Sequence, residues 1–119
     1  MLSPDTKDFA DAIHQLESDL KQVVVNPARF PRTSKLRSAG APQQAKKLIE
    51  EAAELAIEAV RGNRDAAVAE AADLVYNLVV LLEGIGLSFD EVCAELARRR
   101  KLYGIAAKQQ KNGNQANLA

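Results

Sequence analysis

The stretch "LVYNLVVLL", from Leu74 to Leu82, is apolar nearly all the way round a helix. Such a segment is buried on several sides, so it needs neighbours. The chain that must supply them has 119 residues, enough for one hydrophobic core and a single small domain. Phe9, Ile13, Leu16, Leu20 and Val23 recur at steps of three and four, which predicts a first amphipathic helix started by Ser3 and Pro4. A second helix is expected from Gln43 to Arg61, ending at Gly62 and Asn63, residues that tolerate the left-handed conformation of a helix end. The third begins near Asp65 and carries the apolar run. Ser88 and Glu91 form a capping-box signature for a fourth, "FDEVCAELARRRKLY", expected to end before Gly104. Between the first two helices, "NPARFPRTSKLRSAGAP" holds three prolines and a glycine and reads as a basic loop.

No run alternates as a strand does, so the expected class is all-α, with four helices per chain over residues 1–108 and a disordered tail over 109–119. Four helices are few to surround a segment apolar on every side. The expected architecture is therefore a helical bundle completed by homodimerisation.

The second helix raises a different question. Glu50, Glu54 and Glu58 are like charges four residues apart, each pair costing about 0.2–0.5 kcal/mol, and Lys46 precedes Glu50 in the less favourable order. Stability alone does not explain the ladder. Glu50, Glu51 and Glu54 fall within roughly a 100° arc of one helix. On the third helix Glu70, Asp73 and Asn77 make a polar stripe on an otherwise apolar segment, where an uncompensated carboxylate is costly. If Gly62 marks the middle of an antiparallel hairpin, Glu54 faces Glu70 and Glu51 faces Asp73. Four converging acids repel unless protons or cations intervene, and an oxygen-only ligand set favours a hard ion: magnesium, with manganese as a substitute. A di-iron bundle needs Glu-x-x-His pairs, and the only histidine, His14, is on another helix. Glu58 and Glu83 read as a solvated face.

Charge is segregated along the chain. Every charged residue from Arg29 to Lys47 is basic, and "RRRK" at Arg98 to Lys101 is basic again. Cationic arms beside an acidic metal centre suit a polyphosphate, although a basic helix end is also what the macrodipole favours. Zero formal net charge gives no reason to expect nucleic-acid or membrane partners. The single cysteine, Cys93, is expected in the core and excludes an intrachain disulfide, in keeping with a reducing cytoplasm. The amino-terminal stretch has neither the long apolar run of an anchor nor the pattern of a signal peptide.

The motifs "EEAAE" at Glu50 to Glu54 and "EAAD" at Glu70 to Asp73 resemble the EExxE and ExxD signature of all-α nucleotide pyrophosphohydrolases, MazG-type enzymes included. The fuller resemblance, from Thr33 to Lys108 through "TSKLRSAG", "KLIEEAAELAIEA", "EAADLVYNLVVLL" and "GLSFDEVCAEL", is to the phosphoribosyl-ATP pyrophosphohydrolase family of histidine biosynthesis. That resemblance implies cleavage between the α and β phosphates of phosphoribosyl-ATP. It implies magnesium on Glu51, Glu54, Glu70 and Asp73, with Glu50 as a further ligand or the group that orients and deprotonates water; Glu50 and Glu54 are the expected catalytic acids. Lys47 would contact phosphate, and Thr33, Lys35, Arg98, Arg99 and Lys108 match positions that meet substrate. Arg32 stands where the family has tyrosine, and Asn77, also expected at the substrate, where it has histidine. A MazG-like enzyme for other nucleoside triphosphates and a non-catalytic helical interaction module are the competing readings.

Overall fold

The computed structural model describes the backbone of residues 6–111 and the side chains of residues 9–102. The described residues are helical, with no strand among them: α1 (Thr6–Val25), a 3-10 turn (Pro27–Arg29), α2 (Pro31–Ser38), α3 (Ala41–Arg61), α4 (Arg64–Gly84) and α5 (Phe89–Lys111). The chain divides into two compact units, residues 1–88 and residues 89–119.

The all-α class stands, but among the described residues there are five α-helices. The expected loop over residues 26–42 contains α2, and its prolines start helices instead of breaking them. Pro27 and Pro31 open the 3-10 turn and α2, and Pro42 sits in the first turn of α3. At these positions a missing N–H costs nothing and the fixed φ is already helical. The last helix also runs past its expected stop before Gly104, to Lys111; one glycine in a run of good helix formers costs only about 1 kcal/mol. Ser3, Pro4 and most of the expected tail lie outside the described residues.

In the first unit the core forms where α1 lies on α4, with α3 packed along α4. Ile13, Leu20 and Val23 of α1 and Val79 and Val80 of α4 are all buried, each contributing about 1.5–3 kcal/mol by leaving water. Phe9, expected in the same row, is exposed, because it lies near the start of α1. Gly62 ends α3 in the left-handed conformation, φ 74°, and the short turn returns α4 antiparallel to α3 as the acidic pattern predicts. At the other end of this pair Gln44, buried at 2% exposure, donates through Nε2 to the carbonyls of Leu36 and Arg37, each at 3.2 Å. A Cβ at Gly84 would lie 2.9 Å from Gln44 Oε1, so glycine there permits the close approach of α4 to α3. Two further links hold α2 to α4: Thr33 Oγ1 with Tyr76 Oη at 2.6 Å, and the ion pair of Arg37 with Glu83.

The second unit is α5. Cys93 is exposed on it, contrary to the core position expected, since a single helix encloses little. No single described helix is long and apolar enough to cross a membrane.

Candidate active site

Residues four apart on a helix share a face, and the antiparallel return at Gly62 sets the acidic faces of α3 and α4 against each other. Glu51, Glu70 and Asp73 each bring a carboxylate oxygen within 4.8 Å of the other two. Glu51 is buried, Glu70 half-buried and Asp73 exposed, so the cluster opens to solvent at one side. One oxygen of Glu51 and one of Glu70 are buried without a hydrogen-bond partner. Glu54, exposed on α3, reaches Glu70 from the same side. Glu50 is not among these three and lines the neighbouring cavity.

The electrostatics show the strain of this arrangement. The carboxylates of Glu51 and Glu54 push the Glu70 carboxyl up to about 7, so without a cation a shared proton relieves the repulsion. Lys47 Nζ lies 3.1 Å from Glu51 Oε1. Its hydrogen bond holds the Glu51 carboxyl below the usual carboxylate range, against the effect of burial, and the same contact raises the lysine. One lysine balances one acid and leaves the remainder unmatched.

The donor set fits a hard divalent cation. It is oxygen-only, includes buried oxygens lacking partners, and is open to solvent on the Asp73 side. Magnesium binds oxygen at about 2.0–2.1 Å, so two ligands on one ion are at most roughly 4.2 Å apart. The three carboxylate oxygens, all within 4.8 Å of one another, are gathered on that scale.

Beside the acids lies a cavity of about 480 Å³, lined from α2 by Arg32, Lys35 and Leu36, from α3 by Gln43, Lys46, Lys47 and Glu50, and from α4 by Tyr76 and Asn77. Lys35 and Lys47 are thus at the site, and Thr33 reaches its wall through Tyr76. Asn77 is 4% exposed; its Nδ2 donates to the Asp73 carbonyl at 2.7 Å and its Oδ1 is without a partner. Arg98 and Arg99 are on α5, where both donate to Glu95 at 2.6–2.9 Å and hold its carboxyl down to about 2. The Lys108 side chain lies outside the described residues. Glu58 and Glu83, expected on a solvated face, are half-buried beside Arg61 and Arg37; the α3–α4 turn and α2 cover them. His14 is exposed on α1. Sequence reasoning counted Lys46 only as part of the cationic arm and missed Gln44 and Tyr76. Tyr76 stands three residues after Asp73, and that spacing was the available signal.

These features define a class: an all-α protein with converging carboxylates on a helical hairpin and a cation-lined cavity alongside, suited to a phosphate-rich ligand. The description phosphoribosyl-ATP pyrophosphohydrolase matches residues 13–100, and the chain belongs to that family. A phosphoribosyl-ATP pyrophosphatase 2 of Rhodopseudomonas palustris is 49% identical over 105 residues, covering 87% of this chain and 79% of the relative. A phosphoribosyl-ATP pyrophosphatase of Methylobacterium nodulans is 53% identical over 76 residues, 64% of this chain and 71% of that protein. One from Pyrobaculum aerophilum is 43% identical over 89 residues, 73% of this chain and 93% of that protein.

Proposed function

We propose that this chain hydrolyses the α–β phosphoanhydride of phosphoribosyl-ATP, giving phosphoribosyl-AMP and pyrophosphate, as a step of histidine biosynthesis. The observation that carries the chemistry is the meeting of Glu51, Glu70 and Asp73 oxygens within 4.8 Å beside a cavity rich in lysine and arginine. Glu51, Glu54, Glu70 and Asp73 would hold magnesium, or manganese in its place. When bound, the ion polarises phosphoryl oxygens and neutralises charge that develops on them. Glu50 and Glu54, both solvent-accessible, are the carboxylates available to orient a water molecule and take its proton. Lys47 supplies positive charge to the phosphates, and Thr33, Lys35 and Asn77 bound the substrate cavity. Arg98, Arg99 and Lys108 of α5 are assigned to the substrate by resemblance alone.

A homodimer fits an unusual feature of α3. Ile49, Ile57 and Val60 are 69%, 51% and 89% exposed, and with Ala53 and Ala56 they lie within roughly a 100° arc. A contiguous uncovered apolar stripe marks an interaction surface, and a second copy burying it completes a helical bundle. A cytoplasmic setting accords with the single cysteine, and the absence of nucleic-acid or membrane partners with the neutral net charge.

The deciding experiment incubates the purified chain with phosphoribosyl-ATP and magnesium and measures pyrophosphate, with ATP in parallel. Release from phosphoribosyl-ATP alone is expected. Cleavage of ordinary nucleoside triphosphates with phosphoribosyl-ATP untouched would move the assignment to a MazG-like activity.

A further inference from the structure

The cavity beside the acidic cluster holds more positive charge than the hairpin needs. Of its four cations only Lys47 is committed to a carboxylate, at 3.1 Å from Glu51. Arg32, Lys35 and Lys46 form no ion pair among the described residues, and Glu50 is the single acid on the wall. All three cations are exposed, but their backbone is helical, in α2 and α3. Arg32 and Lys35 stand three apart on α2, which faces them the same way. That helix is fixed to α4 by the Thr33–Tyr76 hydrogen bond and the Arg37–Glu83 pair, and to α3 by the two Gln44 bonds. The Arg37 charge is spent on Glu83, whereas Arg32 and Lys35 are left for something else.

The second observation is the buried amide of Asn77 on the same wall. A backbone carbonyl only accepts, so the contact with the Asp73 carbonyl fixes Nδ2 on that side and leaves Oδ1 as an unsatisfied acceptor. A buried acceptor without a donor is costly, and a hydroxyl-bearing ligand in the cavity supplies one. Unpaired cations and a waiting acceptor together describe a site for a phosphorylated sugar.

We propose that the cavity bounded by Arg32, Lys35, Lys46 and Asn77 is a phosphomonoester subsite that binds the phosphoribosyl end of the substrate, separate from the acidic cluster that handles the triphosphate. This rests on phosphoribosyl-ATP being the substrate, a molecule with phosphate at both ends. Tyr76 and Asn77 are three to seven residues along α4 from Asp73 and Glu70, roughly 5–10 Å of helix rise, so the two subsites adjoin without coinciding. A volume of about 480 Å³ suits one end of a nucleotide. Arg32 and Lys35 thereby become specificity residues. They separate a nucleotide that carries the extra sugar phosphate from one that lacks it.

The test compares the full wild-type chain with Arg32→Ala/Lys35→Ala and with the charge-keeping Arg32→Lys/Lys35→Arg. Ribose 5-phosphate binding is measured by calorimetry with chelator present, so the acidic cluster holds no cation. The alanine pair should weaken it by about 10- to 100-fold, the scale of losing charged hydrogen bonds, while the charge-keeping pair stays near wild type. In steady-state assays with magnesium the alanine pair should raise KM for phosphoribosyl-ATP with little change in kcat, and leave inhibition by pyrophosphate unaltered. Weakened pyrophosphate inhibition with ribose 5-phosphate binding intact would overturn the proposal and make the cavity the leaving-group site. So would wild-type protein with no affinity for ribose 5-phosphate. Because the calorimetry needs no turnover, it distinguishes failure of this subsite from failure of the proposed reaction. Thermal melting of each variant confirms the fold.

Discussion

α1 and α3 are nearly equal in length, 20 and 21 residues, and both are strongly amphipathic, yet they face the protein in opposite ways. α1 turns Ile13, Leu20 and Val23 inward and keeps its described charges off the core, Asp11 and Lys21 exposed and Glu17 and Asp19 half-buried, the usual solution for a helix on a core. α3 turns Gln44 and Glu51 inward, with Leu48, Leu55 and Glu58 half-buried, and holds Ile49, Ile57 and Val60 outward. Periodicity fixes that a helix has two faces. It does not say which face is inside, and a helix that buries a glutamate gives up stability there, which the proposed ligand would explain.

The sharpest way to break this contrast is to make one change on each side, near-isosteric at the acids and a truncation in the core. Asp73→Asn or Glu51→Gln should lower kcat by about 10²- to 10³-fold, the usual scale for losing one preorganised electrostatic contact in a reaction. In Asp73→Asn the melting temperature should hold or rise, because one negative charge leaves a repelling cluster, whereas Glu51→Gln also gives up the Lys47 partner at 3.1 Å and should gain less or lose. Leu20→Ala should do the reverse. Leu20 is wholly buried, so the substitution should cost about 2–5 kcal/mol of stability, read by denaturant titration, with kcat per folded molecule unchanged. Turnover at the wild-type rate in Asp73→Asn would remove the acidic face from the chemistry.

The outward face of α3 gives the next test. Ile57→Lys/Val60→Lys places two charges on the exposed stripe and should halve the mass by light scattering, to the 12.9 kDa of one chain. Equal masses for both proteins would leave the stripe without its proposed partner.

What was legible in the sequence follows the same division. The hairpin was readable because Gly62 imposes a turn and the acids are placed symmetrically about it, so simple counting brought Glu51 opposite Asp73 and Glu54 opposite Glu70. α2 was not, because Pro27 and Pro31 are equally good signals for a break and for a first helical turn. Missing α2 hid the cavity, since Arg32 and Lys35 become neighbours of Lys46 and Asn77 only when that segment is helical and pinned to α4. Glu83 was misread for the same reason: its partner, Arg37, sits on the helix that was expected to be a loop. Tyr76 looked like one more apolar residue in a buried run, whereas its hydroxyl meets Thr33.

Acidic burial should also be visible in the pH dependence of the metal-free protein. Glu70 faces Glu51 and Glu54 across the hairpin and Asp73 on its own helix, with Lys47 engaged by Glu51. Its carboxyl is raised from 4.5 to about 7 in the folded state, so folding favours its protonated form. The contribution to stability is complete below 4.5 and is lost as pH rises through about 7. The depressed Glu51 carboxyl acts only below the ordinary carboxylate range and does not overlap this window. With chelator present, the melting temperature should fall between pH 5 and 8, and added magnesium should restore the upper end by replacing the proton. A melting temperature flat across that window, with and without magnesium, would mean that the carboxylates do not interact.

The smallest effect expected lies at the seam between the two kinds of packing, where Tyr76 of α4 meets Thr33 of α2 at 2.6 Å. Tyr76→Phe keeps the ring and removes one neutral hydrogen bond, costing about 0.5–1.5 kcal/mol. Were α2 merely a cover for the core, Thr33→Val would cost the same and activity would follow stability alone. Because α2 carries Arg32 and Lys35 to the cavity wall, loosening it should instead raise KM severalfold while kcat, set at the acidic cluster of α3 and α4, stays nearly constant. A matched fall in kcat with KM unchanged would show that the hydroxyl pair serves the carboxylates and not the cationic wall, and would erase the distinction drawn here between the helix that binds and the hairpin that reacts.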